Sequence, residues 1–87
     1  MSAQLALNLT PADHGRIAKQ LAAVLRVMSD GEWHTLFALS RITGASEASC
    51  SARLRDLRKP RYGSRTVERR TVMGGGGIFE YRLEADR

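Results

Sequence analysis

Hydrophobic residues in the first third of the chain recur at helical spacing. Intervals of four, three and four residues separate Ile17, Leu21, Val24 and Met28. This spacing predicts a helix with one apolar face. Thr10 is a suitable N-cap and Pro11 a suitable first helical residue. The turn-forming sequence Ser29-Asp30-Gly31 predicts that the helix ends near Met28.

Two more helices are predicted on either side of Gly44. The first runs from Leu36 to about Thr43 with Thr35 as its N-cap, and the second runs from its cap Ser46 to about Lys59. Gly44 favours the left-handed conformation that ends many helices, and Pro60 cannot continue a helix. Because so few residues connect the two helices, we expect them to cross at a large angle, as in a helix-turn-helix.

The third predicted helix combines a narrow apolar stripe with a broad outward face. The stripe consists of Cys50, Leu54 and Leu57, at i, i+4 and i+7. The opposite face comprises Ala48, Ser49, Ala52, Arg55, Asp56 and Lys59, with Arg53 and Arg58 on its flanks. Small side chains allow close approach to another surface, and arginine suits phosphates and base edges. The pattern predicts a helix that lies in a groove.

Two β-type segments follow, from Thr66 to Met73 and from Ile78 to Leu83, with four glycines between them. Branched and aromatic residues on both sides of a glycine loop predict a β-hairpin. Val67 and Val72 in the first strand have opposite parity, so we expect a bulge near Arg69-Arg70. The glycines lack the Lys-Ser/Thr pair and the following helix that a phosphate-binding loop requires.

Two further segments are less clearly patterned. Glu32-Trp33-His34 is too short to classify alone; a brief strand is one interpretation, and Trp33 is expected to anchor the core rather than stack on a ligand. Residues 1–9 form an N-terminal extension in which Leu5, Leu7 and Leu9 alternate with other residues. This extension could pack on the domain, pair with a second copy or fray, and these alternatives stay open.

Charge is concentrated in one part of the chain. The net charge is +5, and residues 53–70 alone contain eight basic side chains against two acidic ones. A basic segment of this kind is typical of polyanion binding, whereas a solvated charged surface is the ordinary alternative. Because the segment includes part of the outward face of the third helix, the binding interpretation is favoured.

Composition argues against several classes of protein, among them membrane-spanning proteins, zinc proteins and enzymes. The chain has 87 residues, enough for one small domain. Its apolar runs are shorter than the roughly 18 residues of a membrane span, and its beginning does not resemble a signal peptide. Cys50, His14 and His34 are too few for a zinc site and have no catalytic companions at motif spacing. We therefore expect no enzymatic activity, metal or cofactor, and interpret Cys50 as a small buried hydrophobe.

Three helices followed by a hairpin, with a short strand before the second helix, resemble the winged helix-turn-helix fold of the α+β class. The resemblance covers about residues 14–83. The segments that carry it are Gly31–Leu36, Thr43–Ser46, Ser51–Arg58 and Phe79–Leu83. Within the family, the chain is most similar to small stand-alone proteins of bacteriophages and prophages. The family pattern implies one domain over residues 10–87, with the third helix in the DNA major groove and the hairpin wing on flanking phosphate or the minor groove.

Two acidic residues and the all-glycine wing tip depart from this family pattern. Asp56 is spaced to pair with Arg53 and Lys59, and Glu47 lies in the first helical turn, where the helix dipole favours an anion.

The resemblance implies a sequence-specific protein that binds duplex DNA as a transcriptional regulator or as an accessory or architectural factor of phage type. It also implies a cytoplasmic location in a bacterial or phage-infected cell. The expected DNA contacts are Ser46, Ser49, Ala52, Arg53, Arg55, Arg58, Lys59, Arg61, Arg65, Arg69 and Arg70. Among them, Ser49, Ala52 and Arg55 are expected closest to the base edges.

Other partners fit the same pattern. The main alternative is a protein-interaction adaptor, since winged helices also serve that role with the same core. A protein that binds double-stranded RNA is a less favoured alternative, because the narrow major groove of A-form RNA would not admit the third helix. A second copy of the chain is a further candidate partner, through the N-terminal segment or the first helix.

Overall fold

A computed structural model describes residues 11–85 of the chain. Its elements in order are α1 (Pro11–Met28), β1 (His34–Thr35), α2 (Leu36–Thr43), α3 (Glu47–Leu57), a 3-10 turn (Pro60–Tyr62), β2 (Val67–Thr71) and β3 (Phe79–Leu83). The strands form one antiparallel sheet in the order β1-β3-β2. The protein is therefore α+β, with a layout compatible with a winged helix. Within the described range, none of the helices has the length and apolar character needed to span a bilayer.

The boundaries of the helices follow the local signals in the sequence. Thr35 Oγ1 accepts a hydrogen bond from Ala38 N at 3.0 Å, and Ser46 Oγ accepts one from Ser49 N at 3.0 Å, so both predicted N-caps are confirmed. Gly44 ends α2 with a φ of 81°, as its position predicts. The predicted cap Thr10 and the extension of residues 1–9 lie outside the described residues.

The core lies where the three helices meet the root of the hairpin. Its buried members are Val24, Met28, Leu39, Cys50, Leu54, Leu57, Val67 and Leu83. The predicted apolar stripe of α3 therefore faces inward, and each long strand contributes one residue. Cys50 is fully buried, with its Sγ 3.6 Å from Thr43 Oγ1, which confirms its interpretation as a small core residue.

The hairpin pairs without a bulge. Its register runs unbroken from Val67 opposite Leu83 to Thr71 opposite Phe79, so the bulge predicted near Arg69-Arg70 is wrong. Val72 comes after Thr71, the last paired residue of β2. Its side chain therefore need not follow the alternation of the strand, and its parity does not require a bulge. Both strands are also shorter than predicted.

Trp33 lies on the opposite side of the sheet from the core, and its prediction as a core anchor is wrong. His34 pairs with Tyr81, which packs against the core, and consecutive residues of an extended chain point to opposite faces. The guanidinium carbons of Arg70 and Arg82 lie 4.1 and 4.6 Å from the centre of the Trp33 ring. Each arginine also pairs with a glutamate across the strands: Arg70 with Glu80 at 2.9 Å and Arg82 with Glu68 at 2.8 Å.

We expect Trp33→Ala to lower the free energy of unfolding by about 1–2 kcal/mol. The reason is the loss of two cation–π contacts, worth about 0.5–1 kcal/mol each at exposed sites. Trp33→Phe, which keeps an aromatic ring, is the matched variant and should lose less. Urea denaturation measures both, and equal stability of wild type and Trp33→Ala would show that the two arginines gain nothing from the ring.

The turn between α1 and β1 is held by Asp30. Its Oδ1 accepts hydrogen bonds from Glu32 N at 2.8 Å and from His34 Nε2 at 3.0 Å. These bonds, first the one from the backbone of Glu32 and then the one from His34, hold the pKa of Asp30 below its ordinary value. The predicted turn at Ser29-Asp30-Gly31 is confirmed, and the carboxylate stabilises it in the ionised state.

Candidate nucleic-acid interface

The outward face of α3 is formed by short side chains and one long basic residue. The helix packs against α1 and α2, which leaves Ala48 and Arg55 exposed and Ala52 half-buried. Within the described part of the chain, the guanidinium of Arg55 makes neither a hydrogen bond nor an ion pair. On this face, short side chains therefore let another molecule approach the helix backbone closely, and the guanidinium of Arg55 is available to bind it.

At the beginning of α3, two predicted contacts, Ser46 and Ser49, hydrogen-bond to each other. Ser46 Oγ lies 3.0 Å from Ser49 Oγ and donates to it, in addition to capping the Ser49 N–H. Ser46 is exposed and Ser49 is half-buried. These hydroxyls shape the start of the helix, and Ser49 lies beside Ala52 at the edge of its outward face.

Asp56 and Arg53 differ most from their predicted positions. Asp56 is only 8% exposed rather than on the outward face. Its Oδ2 lies 2.9 Å from Arg53 Nε and its Oδ1 3.0 Å from Lys59 Nζ. The predicted pairing of Asp56 with both cations is thus confirmed, although the predicted exposure of Asp56 is wrong and Lys59 lies beyond the last residue of α3, Leu57.

Arg53 connects α3 to α1. Its Nη1 donates to Gln20 Oε1 at 3.1 Å, and its side chain is only 13% exposed. The approach of α1 explains the difference from the prediction, because a flank residue of an isolated helix becomes an inter-helix contact once a second helix packs beside it. Arg53 is therefore a positioning residue in this structure and not part of the open basic surface.

Positive charge gathers beyond the C-terminal end of α3. Arg58 is exposed, and its Nη2 donates to the carbonyl oxygen of Val67 at 3.0 Å, which connects α3 to the beginning of β2. Lys59 keeps 56% of its side chain exposed despite its ion pair. Arg61 is exposed on the 3-10 turn, with its guanidinium carbon 5.5 Å from the centre of the Tyr62 ring. These three cations continue the basic character of the outward face of α3.

Arg65 occupies a different part of the surface. Its side chain is half-buried and lines a cleft between the end of α1 and the end of β3, together with Met28, Asp30 and Glu84. The backbone of Arg65 donates to the carbonyl of Leu57 at 2.8 Å. No outward residue of α3 lines this cleft, so Arg65 does not join the predicted contacts on that helix.

The two wing arginines lie on opposite faces of the sheet. Arg69 pairs with Tyr81 and shares the helix side of the sheet with Val67; its guanidinium carbon lies 4.6 Å from the centre of the Phe79 ring. Arg70 lies on the other face with Trp33. Because cross-strand partners project to the same face, Arg69 is directed toward the side that carries α3 and Arg70 is not.

An apolar groove separates α2 from the wing. It has a volume of about 640 Å³ and is lined by Thr35, Leu36, Phe37, Glu47, Val72, Gly77, Ile78, Phe79 and Tyr81. Phe37 and Ile78 are both largely exposed there. Sequence reasoning missed this groove because its walls come from segments that are distant in the chain. Glu47 lies at its border, on the wing side of α3 rather than at the centre of the outward face.

Among residues 11–85, no three His, Cys, Asp or Glu side chains are grouped in a way that could hold a metal ion.

None of the protein-family models, curated proteins or solved structures compared with the chain matches it. An interpretation of the site therefore depends on the geometry of this chain.

Proposed function

We propose that the chain is a winged helix-turn-helix protein that binds duplex DNA in a sequence-specific manner. In this proposal α3 enters the major groove, which is about 12 Å wide and admits an α-helix. The observation that carries the proposal is the outward face of α3, which combines the short side chains of Ala48 and Ala52 with the guanidinium of Arg55, a group without a hydrogen bond or ion pair within residues 11–85. A helix with this face can approach the floor of a groove while its basic end remains near the phosphates.

The basic residues divide into two roles in this proposal. Arg55 meets base edges, because it is exposed in the last turn of α3 on the same side as Ala48 and Ala52. Arg58, Lys59 and Arg61 meet phosphates beyond the end of the helix, and Arg69 meets them from the middle of β2. Arg53 acts indirectly, by holding α3 against α1 through Gln20.

The distribution of negative charge supports the proposal. Asp56 is neutralised by two cations within hydrogen-bonding distance. Glu47 borders the apolar groove beside the wing. Neither carboxylate therefore stands at the centre of the face that would approach a polyanion.

Binding is expected to weaken steeply with salt. Each neutralised phosphate contributes about −0.9 to the slope of log K against log salt concentration, so contacts from four or five cations give a slope of about −4. Fluorescence anisotropy of a labelled duplex at several KCl concentrations measures it. Absence of binding at low salt by the folded protein would contradict the proposal.

The apolar groove favours a second candidate function, that of a protein-interaction adaptor. Phe37 and Ile78 expose apolar surface on its two walls, and exposed apolar patches commonly mark protein interfaces. A DNA-binding titration distinguishes the two functions, because an adaptor would have no affinity for DNA that falls steeply with salt concentration.

A homodimer is a further candidate assembly. Apolar residues of α1, among them Ile17 and Leu21, line a cleft with Tyr62. The N-terminal segment stays a predicted contact between the two copies.

A further inference from the structure

The tip of the wing is a hydrogen-bonded structure with a single protruding side chain. Gly75 N donates to Val72 O at 2.9 Å, and Ile78 N donates to Gly75 O at 3.3 Å, so two successive turns form the loop. Of the residues from Met73 to Gly77, only Met73 has a side chain, and it is 99% exposed. The loop thus presents one apolar side chain on a thin backbone.

Two reasons explain why all four tip residues are glycine: a positive φ at three of them and a lack of room for a Cβ at the fourth. Gly74, Gly76 and Gly77 have φ values of 74°, 60° and 91°, which other residues adopt only at a cost. Gly75 has an ordinary φ, but a Cβ there would lie 3.0 Å from both Val72 Cβ and Val72 O. The tip is consequently a specific structure, and the absence of basic side chains from it follows from its shape.

We infer that the wing inserts Met73 as an apolar wedge into the minor groove of the bound duplex and bends the DNA. This inference rests on the proposed function. The minor groove is about 6 Å wide, a space that suits a backbone without side chains. Apolar side chains such as methionine, inserted between base steps, kink a duplex by about 20–90°. Arg69, the middle residue of β2, supplies a cation for the adjacent phosphates.

Met73 has no evident role in the stability of the free protein, since almost its entire surface is exposed. Met73→Ser is therefore expected to fold with an unchanged melting temperature, and Met73→Leu keeps an apolar wedge as the matched control. A serine side chain hydrates well and is too short to separate two stacked bases. The substitution should thus remove the deformation of DNA without disturbing the fold.

The test is fluorescence resonance energy transfer between dyes at the two ends of a duplex of about 30 base pairs with flexible TA steps at its centre. At low salt and saturating protein, wild type and Met73→Leu should increase the transfer, as a bend of about 20–90° requires. Met73→Ser should leave the transfer near its value for free DNA, even when anisotropy shows that the duplex is fully bound.

The outcomes distinguish this inference from the proposed function. Wild-type protein that binds the duplex without changing the transfer, or Met73→Ser that bends it as well as wild type does, would overturn the wedge and leave DNA binding intact. Failure of the wild-type protein to bind the duplex at all would overturn both.

Discussion

Asp56→Ala is expected to lower the free energy of unfolding by about 3 kcal/mol. The substitution leaves the Arg53 guanidinium between α3 and α1 without its counter-charge, and removing one partner of a buried ion pair costs about 3–5 kcal/mol. The lower end applies here because Gln20 continues to accept from Arg53. A domain of 87 residues has a total stability of roughly 4–13 kcal/mol, so the variant should melt well below wild type. Thermal and urea denaturation measure the loss.

Two further variants test whether burial is the cause. Arg16→Ala breaks the pair between Arg16 and Asp13 on α1, where the arginine is 64% exposed, and should cost less than about 0.5 kcal/mol. The double replacement Arg53→Met with Asp56→Leu removes both buried charges and should recover much of the stability. Equal effects of Asp56→Ala and Arg16→Ala would contradict the buried ion pair as a source of stability.

Arg55→Ala is expected to reduce the preference for a selected DNA site over a scrambled one by about 1–3 kcal/mol, the value of a bidentate arginine–guanine contact. The change should hardly affect thermal unfolding, because the side chain is exposed and makes no ion pair within the described residues. Competition binding with a preferred duplex, obtained by unbiased selection from random sequences, and with its scrambled counterpart measures the preference.

Arg61→Ala is the matched control for base recognition. Arg61 is also an exposed arginine, but it lies beyond the helix on the 3-10 turn, where we expect a phosphate contact that carries no sequence information. Its loss should weaken binding to both duplexes by a similar factor. If Arg55→Ala discriminated as well as wild type does, the assignment of base recognition to Arg55 would be wrong.

The helices could be predicted because their signals are local. Ser46 caps α3 through a bond to Ser49 N, and Gly44 ends α2 in a left-handed conformation; both effects depend on a few neighbouring residues. The pairing of Asp56 with Arg53 and Lys59 was predictable for the same reason, since residues three apart meet on a helix surface. Local sequence therefore predicted both ends of α2, the beginning of α3 and the pairing of Asp56, although α3 ends at Leu57, two residues before the predicted Lys59.

The positions that were predicted wrongly depend on contacts between distant segments. Trp33 faces away from the core because β1 pairs with β3. This pairing places His34 on the core side of the sheet, so the preceding residue, Trp33, points to the other side. The side chain of Arg53 is only 13% exposed because α1 lies beside α3. Arg69 and Arg70 appear equivalent in sequence, and the register of the hairpin separates them onto opposite faces. The predicted set of DNA contacts therefore becomes smaller, with Arg55 at its centre.

The most direct test of the proposed DNA interface is a two-dimensional amide NMR titration of the labelled protein with duplex DNA at low salt. We expect the largest shifts at Ala48, Ala52 and Arg55 and in the wing tip from Met73 to Gly77. The outward residues of α1, such as His14 and Ala18, should remain unshifted. Shifts confined to α1, or no shifts anywhere with excess duplex, would contradict the assignment of α3 as the DNA-binding helix.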